Sequence, residues 1–143
     1  MEKKTFLTCL SVFLLCIPWG ETAPHKCVCS IYASNKVELE STNFIRSKEH
    51  IVPDLVCDEG AGETCVRLCK FRFSLQTGGG DMHYIPSIVD ISVGQIFCNW
   101  IEREVNNETV VLFSQICNEE PLNTGFKMNQ NLCCVNGNFV NCT

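Results

Sequence analysis

Residues 132–142 read LCCVNGNFVNC and place two adjacent cysteines, an Asn-Gly pair and a third cysteine in one short stretch. Asn136-Gly137 is the pair that a two-residue type I′ turn prefers, because both central residues of that turn need a positive φ. The flanking residues can be extended, so the stretch predicts a small β-hairpin. Successive side chains of a strand point to opposite faces, so Cys133 and Cys134 are expected to bond to different partners. The hairpin is therefore expected to be a cross-linked hub.

Two further cysteine pairs have the spacing of regular secondary structure. Cys27 and Cys29, in the alternating stretch CVCSIY, share one face of a predicted strand. Cys65 and Cys69 lie in ETCVRLCKFRFSLQ, where apolar residues recur at intervals near three and four. This pattern predicts a helix over residues 63–76, ended by a run of glycines, with both cysteines on its buried face. Disulfides are therefore expected to join this helix to the rest of the domain.

The first residues have the layout of a secretory signal peptide. Two lysines precede an apolar run over residues 6–17, and small or turn-forming residues follow. The run is shorter than the roughly twenty apolar residues that a membrane-spanning helix needs. We therefore assign residues 1–22 to a signal peptide, with cleavage between Gly20 and Ala23, and residues 23–143 to a single secreted domain that has no membrane attachment.

An even number of cysteines remains after the predicted cleavage. Of twelve cysteines, two lie in the signal peptide and ten remain. In an exported domain of this size ten cysteines imply five disulfides, a density typical of extracellular scaffolds. Spacing alone does not determine how they pair. The cysteines assigned to disulfides are Cys27, Cys29, Cys57, Cys65, Cys69, Cys98, Cys117, Cys133, Cys134 and Cys142.

Other segments carry weaker signals. Residues 33–53 are polar and weakly patterned, which predicts an exposed loop with one helical turn as an option. Residues 82–93 are rich in β-branched and aromatic side chains, but Pro86 restricts any strand there to a sheet edge or to the residues after the proline. Residues 118–131 are predicted to form a loop before the final hairpin.

Residues 93–117 admit two interpretations. Apolar side chains from Val93 onward have helical spacing, and Ser92 with Gln95 can form a capping box at the start of a helix. The same segment also contains two apolar stretches around a polar tip at residues 106–108, as in a β-hairpin. The stretch TVVLF is a convincing strand in either case. The hairpin is slightly favoured.

Cysteine-bearing stretches follow one another in a characteristic order: CVCSIY, CVRLC, IFCNWIERE followed by VVLFSQICN, and NLCCVNGNFVNC. In this order the chain resembles the insect follicle cell protein 3C family, apart from residues 33–56 and 70–93. The resemblance implies a secreted product of the follicular epithelium or of related secretory cells, without an assigned catalytic activity. It transfers no functional residues, and it also favours the hairpin for the ambiguous segment.

Catalytic motifs are absent from the sequence. It contains no G-x-S-x-G elbow and no H-E-x-x-H helix. The histidines outside the signal peptide, His25, His50 and His83, are far apart in the chain. The Cys-Cys pair is followed by Val-Asn-Gly, where secreted phospholipases have their histidine and aspartate. We therefore expect a protein that is not an enzyme.

Cofactors and nucleic acid are not expected either. The cysteines form C-x-C, C-x-x-x-C and C-C patterns instead of the paired C-x-x-C knuckles of zinc sites, so no metal or cofactor is predicted. The acidic cluster before the helix lacks EF-hand spacing, and a solvated helix N-terminus explains it. The formal net charge of −5 argues against nucleic acid and anionic membrane, which are bound through basic patches.

Two features concern the surface. Asn107-Glu108-Thr109 is an N-glycosylation sequon in a polar segment, which predicts a glycan on Asn107.

A cluster of aromatic and apolar residues could line a ligand surface, but we interpret it as core packing because that is the commoner role. Its members are Phe97, Trp100, Ile101 and Phe113.

The sequence thus predicts a small disulfide-rich α+β domain, with one main helix joined to short antiparallel strands and a C-terminal β-hairpin. The predicted function is that of a non-enzymatic extracellular structural or binding component, as in an egg covering, with an unidentified protein partner or matrix. The alternative is a soluble binding module or effector, in the manner of growth-factor antagonists, von Willebrand type C proteins, or venom and salivary proteins.

Overall fold

The computed structural model describes residues 25–36 and 39–143, so the predicted signal peptide lies outside the described residues. The described part of the chain is a small α+β domain with six strands, two α-helices and five disulfides, as predicted. A 3-10 turn, Ser41–Asn43, precedes the second strand. In chain order the elements are β1 Lys26–Ser34, β2 Phe44–Ile51, α1 Ala61–Gln76, α2 Val93–Ile101, β3 Val105–Gln115, β4 Leu122–Lys127, β5 Leu132–Val135 and β6 Asn138–Phe139.

β3 is the central strand of a curled antiparallel sheet. One edge of β3 pairs with β1, which in turn pairs with β2. Two short strands share the other edge: β4 pairs with the C-terminal half of β3, and β5 with its N-terminal half. β6 pairs with β5 across Asn136-Gly137, whose φ values are 52° and 76°. The predicted C-terminal hairpin and its turn are confirmed.

Two disulfides join β1 to α1 as a ladder. Cys27 bonds to Cys65 and Cys29 to Cys69, with Cα–Cα distances of 5.5 and 5.4 Å. Two residues of a strand span about 6.6 Å and four residues of a helix about 6 Å, so the two spacings match when strand and helix point the same way. The helix predicted over residues 63–76 is confirmed, with both cysteines on its buried face.

The hairpin is a hub, as predicted. Cys134 bonds to Cys98 of α2, whereas Cys133 bonds to Cys142 of the C-terminal tail, so the adjacent cysteines have different partners. The Gln95 side chain of α2 also accepts from the Phe139 N–H at 2.9 Å and donates to the Gly137 carbonyl at 2.8 Å. The fifth disulfide, Cys57–Cys117, joins the segment before α1 to the residues that follow β3.

The hairpin predicted for residues 93–117 is wrong, because residues 93–101 form α2. The Ser92 hydroxyl accepts from the Gln95 N–H at 3.3 Å and caps the helix, which ends at Glu102 in a left-handed conformation. Helical spacing prevailed because it places Val93 and Phe97 together on the buried face. The proposed polar tip lies within β3, and the strand predicted for TVVLF is confirmed.

Two loop predictions and one optional edge strand also require correction. Residues 33–53 contain the end of β1, the 3-10 turn and the whole of β2, and residues 118–131 contain β4. β2 and β4 are edge strands with one buried residue each, Ile45 and Thr124, so they lack the apolar alternation that marks a strand in sequence. Residues 82–92 form no strand: the carbonyls of Met82 and Tyr84 accept from N–H groups at the start of α2, which turns the segment away from the sheet.

Candidate functional site

The inner face of β2 carries basic side chains. Residues directly opposite in an antiparallel pair point to the same face of the sheet. Arg46 lies opposite Ile31, and Lys48 lies opposite Cys29, whose side chain faces α1 through its disulfide. His50 lies on the same face because it follows Lys48 by two residues. The basic side chains of β2 therefore share the face of the sheet that α1 covers over β1.

A cleft of about 680 Å³ opens between β2, α1, α2 and the loop of residues 86–91. Its deepest lining is apolar and comprises the Cys29–Cys69 disulfide with the buried Ile31 and Leu112. The volume lies within the range of small-molecule sites, about 300–1,000 Å³. Size and lining therefore suit a small apolar ligand.

Aromatic side chains of both helices form one wall of this cleft. Phe73 of α1 stacks on Phe97 of α2 with 6.2 Å between ring centroids, and Trp100 lies 6.2 Å from Phe97. The guanidinium of Arg46 lies 5.1 Å from the Trp100 ring, in a cation–π contact. Phe97 and Phe113 are buried, as their interpretation as core predicts, but Trp100 is 40% exposed and lines the cleft.

The loop of residues 86–91 covers the cleft with apolar side chains. Ile88 is 91% exposed and lines the cleft, together with Val89 and Ile91. Ile85 precedes this loop and is 56% exposed but does not line the cleft. Clustered exposed apolar side chains commonly mark binding surfaces. The loop therefore presents exposed apolar side chains that are available for contact with a ligand.

Positive charge distinguishes the rim of the cleft. Among the described residues, the charged or titratable side chains that line it are all basic: Arg46, Lys48, His50 and, on α1, Arg72. Burial lowers the pKa of His50 below its usual 6.5, and the neighbouring charges of Lys48 and Arg72 lower it further. At neutral pH His50 is therefore largely uncharged, and the positive potential comes from the arginines and the lysine.

The nearest acidic residues in sequence do not line the cleft. Glu49 alternates to the other face of β2, where its carboxylate contacts the Lys26 ammonium at 2.8 Å. Asp90 belongs to the covering loop but is not among the residues that line the cleft. The cleft is thus a locally basic site in a chain whose formal net charge is −5.

Two cysteine clusters have the proximity, but not the chemistry, of metal sites. His25 lies beside the Cys57–Cys117 disulfide, with 3.5 Å between Nδ1 and the Cys57 sulfur. The other cluster consists of Cys27, Cys29 and Cys69. A cysteine ligates metal as a thiolate, and every cysteine in these clusters is in a disulfide. These sulfurs are therefore structural.

The predicted glycosylation site lies at an irregular part of β3. Asn107 is exposed and has a φ of 55°, and the pairing of β3 with β5 shifts register between Val105 and Glu108. Its side-chain oxygen accepts from the Asn131 amide at 3.0 Å. The glycan on Asn107 stays a prediction.

Sequence reasoning missed the basic wall of the cleft. Arg46 and Lys48 lie in the segment predicted to be an exposed loop, His50 was considered only as a histidine far from the others, and Arg72 had no role beyond its place in the predicted helix. The available signal was their spacing: basic residues at every second position share one face if the segment is a strand. Nothing in the local sequence identified that strand, because β2 depends on hydrogen bonding to β1.

Within the described residues, neither helix is long and apolar enough to cross a membrane. Comparison with protein-family models, with curated proteins and with solved structures gives no match to this chain.

Proposed function

We propose that this protein is a secreted, non-enzymatic binding protein that holds a small apolar molecule in the cleft between β2, α1, α2 and the loop of residues 86–91. The observation that carries the proposal is the cleft itself, with a volume of about 680 Å³ and an apolar interior. Pockets of this kind are the usual binding sites of small molecules.

The disulfides support a preformed site. The Cys29–Cys69 disulfide belongs to the cleft lining and fixes α1 on the sheet. The Cys98–Cys134 disulfide fixes α2, which supplies Phe97 and Trp100, on the C-terminal hairpin. Walls held in place before binding lose little conformational entropy on binding, which favours affinity.

An extracellular setting is supported by the disulfide density and by the signal-like leader. Five disulfides in a domain of this size are typical of oxidising compartments. The resemblance to follicle cell protein 3C agrees with a product of secretory cells. All ten cysteines of the described residues are used within the chain, so a disulfide-linked covering gains no support. A soluble binding module is therefore favoured over a structural component.

A neutral fluorescent probe tests the proposal without involving charge. N-phenyl-1-naphthylamine should show saturable binding to protein produced from the full chain in an oxidising secretory pathway. Replacing Ile88, which lines the cleft, by serine should weaken binding about fivefold, because roughly 1 kcal/mol of apolar contact is lost. Ile85→Ser is the matched control, since Ile85 is exposed near the same loop but lies outside the cleft, and it should bind normally. Absence of saturable binding, or equal loss in both variants, would refute the proposal.

A further inference from the structure

We infer that the cleft selects a single-chain amphipathic anion, namely an alkyl chain with a carboxylate headgroup, of which a fatty acid is the simplest form. This inference rests on the proposed function, because it names the class of ligand for the same cleft. It follows from how charge and apolar surface are distributed over the walls.

The basic side chains come from two elements. Arg46 and Lys48 line the cleft from β2, and Arg72 lines it from α1. Lys48 and Arg72 line the same cleft as His50, and the charges of both lower the pKa of its imidazole. A carboxylate between them would receive charge-assisted hydrogen bonds, which are about twice as strong as neutral ones.

These side chains have no acidic partner among the residues that the structure describes. Elsewhere in the described chain Lys26, Arg67 and Arg103 contact the carboxylates of Glu49, Glu63 and Glu108. No carboxylate of the described residues forms such a contact with Arg46, Lys48 or Arg72. An anionic ligand would therefore supply the negative charge that these basic side chains lack, and it would reduce their mutual repulsion.

The opposite part of the cleft suits an alkyl chain. Ile88, Val89 and Ile91 of the covering loop and Ile96 of α2 are aliphatic. The aromatic wall is poorly placed to stack on a nucleotide base, because Phe73 and Phe97 are buried against each other and the Trp100 ring is in contact with Arg46. Aliphatic side chains together with a small basic cluster instead match a flexible apolar chain that carries one negative charge.

Three ligands with the same alkyl chain and different headgroups test this inference. Dodecanoate, dodecanol and dodecylamine would be used to displace N-phenyl-1-naphthylamine at neutral pH, below their critical micelle concentrations. We expect dodecanoate to bind at least about tenfold more tightly than dodecanol, and dodecylamine to bind most weakly. Added salt should reduce the preference for dodecanoate, because the basic rim is open to solvent.

Variants of the basic side chains test where the carboxylate headgroup binds. In Lys48→Gln/Arg72→Gln the ratio of the dodecanoate affinity to the dodecanol affinity should fall towards one. Lys70→Gln is the matched control, because Lys70 is exposed on α1 and does not line the cleft, and this variant should keep the preference. Circular dichroism should show the same fold for all variants.

Each contrary outcome has a distinct meaning. Equal binding of dodecanoate and dodecanol overturns the inference and leaves the proposed function intact, whereas failure of the neutral probe and of all three ligands overturns both. A preference that survives in Lys48→Gln/Arg72→Gln refutes the assigned headgroup site. Cosedimentation with phosphatidylglycerol vesicles, without displacement of the probe by dodecanoate, refutes the inference in favour of a membrane surface.

Discussion

The adjacent cysteines of β5 allow two disulfides to be compared at one place in the fold. Cys98–Cys134 closes a sequence separation of 36 and Cys133–Cys142 a separation of 9. In the loop-entropy model, removing the first lowers the free energy of unfolding by about 3.8 kcal/mol and removing the second by about 2.6 kcal/mol. Cys98 and Cys134 are also almost fully buried, so their replacement by alanine leaves a cavity that costs roughly 1 kcal/mol more.

Urea unfolding of Cys98→Ala/Cys134→Ala and Cys133→Ala/Cys142→Ala measures this difference. We expect the first variant to be less stable than the second by about 2 kcal/mol. The first variant should also lose affinity for the naphthylamine probe, because α2 is no longer bonded to the hairpin, whereas the second should bind normally. Equal stability losses would refute the loop argument, and unchanged probe binding in both variants would show that the disulfide does not position α2.

Three further predictions concern single residues. The hydroxyl of Ser114 is buried without a hydrogen-bond partner among the described residues, so Ser114→Ala should raise the free energy of unfolding by about 1 kcal/mol in a urea titration; a loss of stability would reveal a hydrogen bond that the structure does not show. A Cβ at Gly94 would lie 2.7 Å from the Phe139 ring, so Gly94→Ala should cost about 1–3 kcal/mol in the same assay, and a gain would mean that this packing is absent. Burial and then Lys48 lower the pKa of His50 below 6.5, so protonation of His50 destabilises the fold as pH falls below that value. An NMR titration should find a higher His50 pKa in Lys48→Gln, with less loss of stability in acid, whereas an unchanged pKa would contradict the assigned cause.

Much of the fold could be predicted because a few residues impose strict local conditions. Asn136-Gly137 demands a tight turn between extended arms. The spacing Cys27-x-Cys29 fits one face of a strand, and the spacing Cys65-x-x-x-Cys69 fits one face of a helix. These features depend on neighbouring residues, so they are visible in the sequence before any long-range contact is known.

The remainder depends on contacts between distant residues. β2 is a strand because its backbone pairs with β1, and its exposed side chains give no apolar pattern. Residues 93–117 contain both a helical spacing and two apolar stretches that suit a hairpin, so the local pattern is compatible with either structure. The Ser92 cap and the packing of Phe97 on Phe73 stabilise the helix, and the second of these is a contact between distant residues.

The candidate site was harder to predict than the fold for the same reason. Arg46, Lys48 and Arg72 are separated in sequence. The antiparallel pairing of β2 with β1 and the disulfides between β1 and α1 bring them to one cleft. The aromatic cluster was visible in the sequence and was expected to pack in the core, the commoner role of such residues, whereas the exposure of Trp100 depends on how α2 packs against β2. A binding site formed by residues of several secondary-structure elements is therefore recognised in the structure and not in local sequence motifs.

Tryptophan fluorescence tests the central claim most directly. The sequence contains two tryptophans, Trp19 and Trp100, and Trp19 lies in the predicted signal peptide, so the secreted protein keeps only the indole that lines the cleft. We predict that titration with dodecanoate shifts the Trp100 emission to shorter wavelength and saturates at one ligand per chain. Saturable binding of dodecanoate by calorimetry with an unchanged Trp100 spectrum would place the ligand elsewhere and contradict the account.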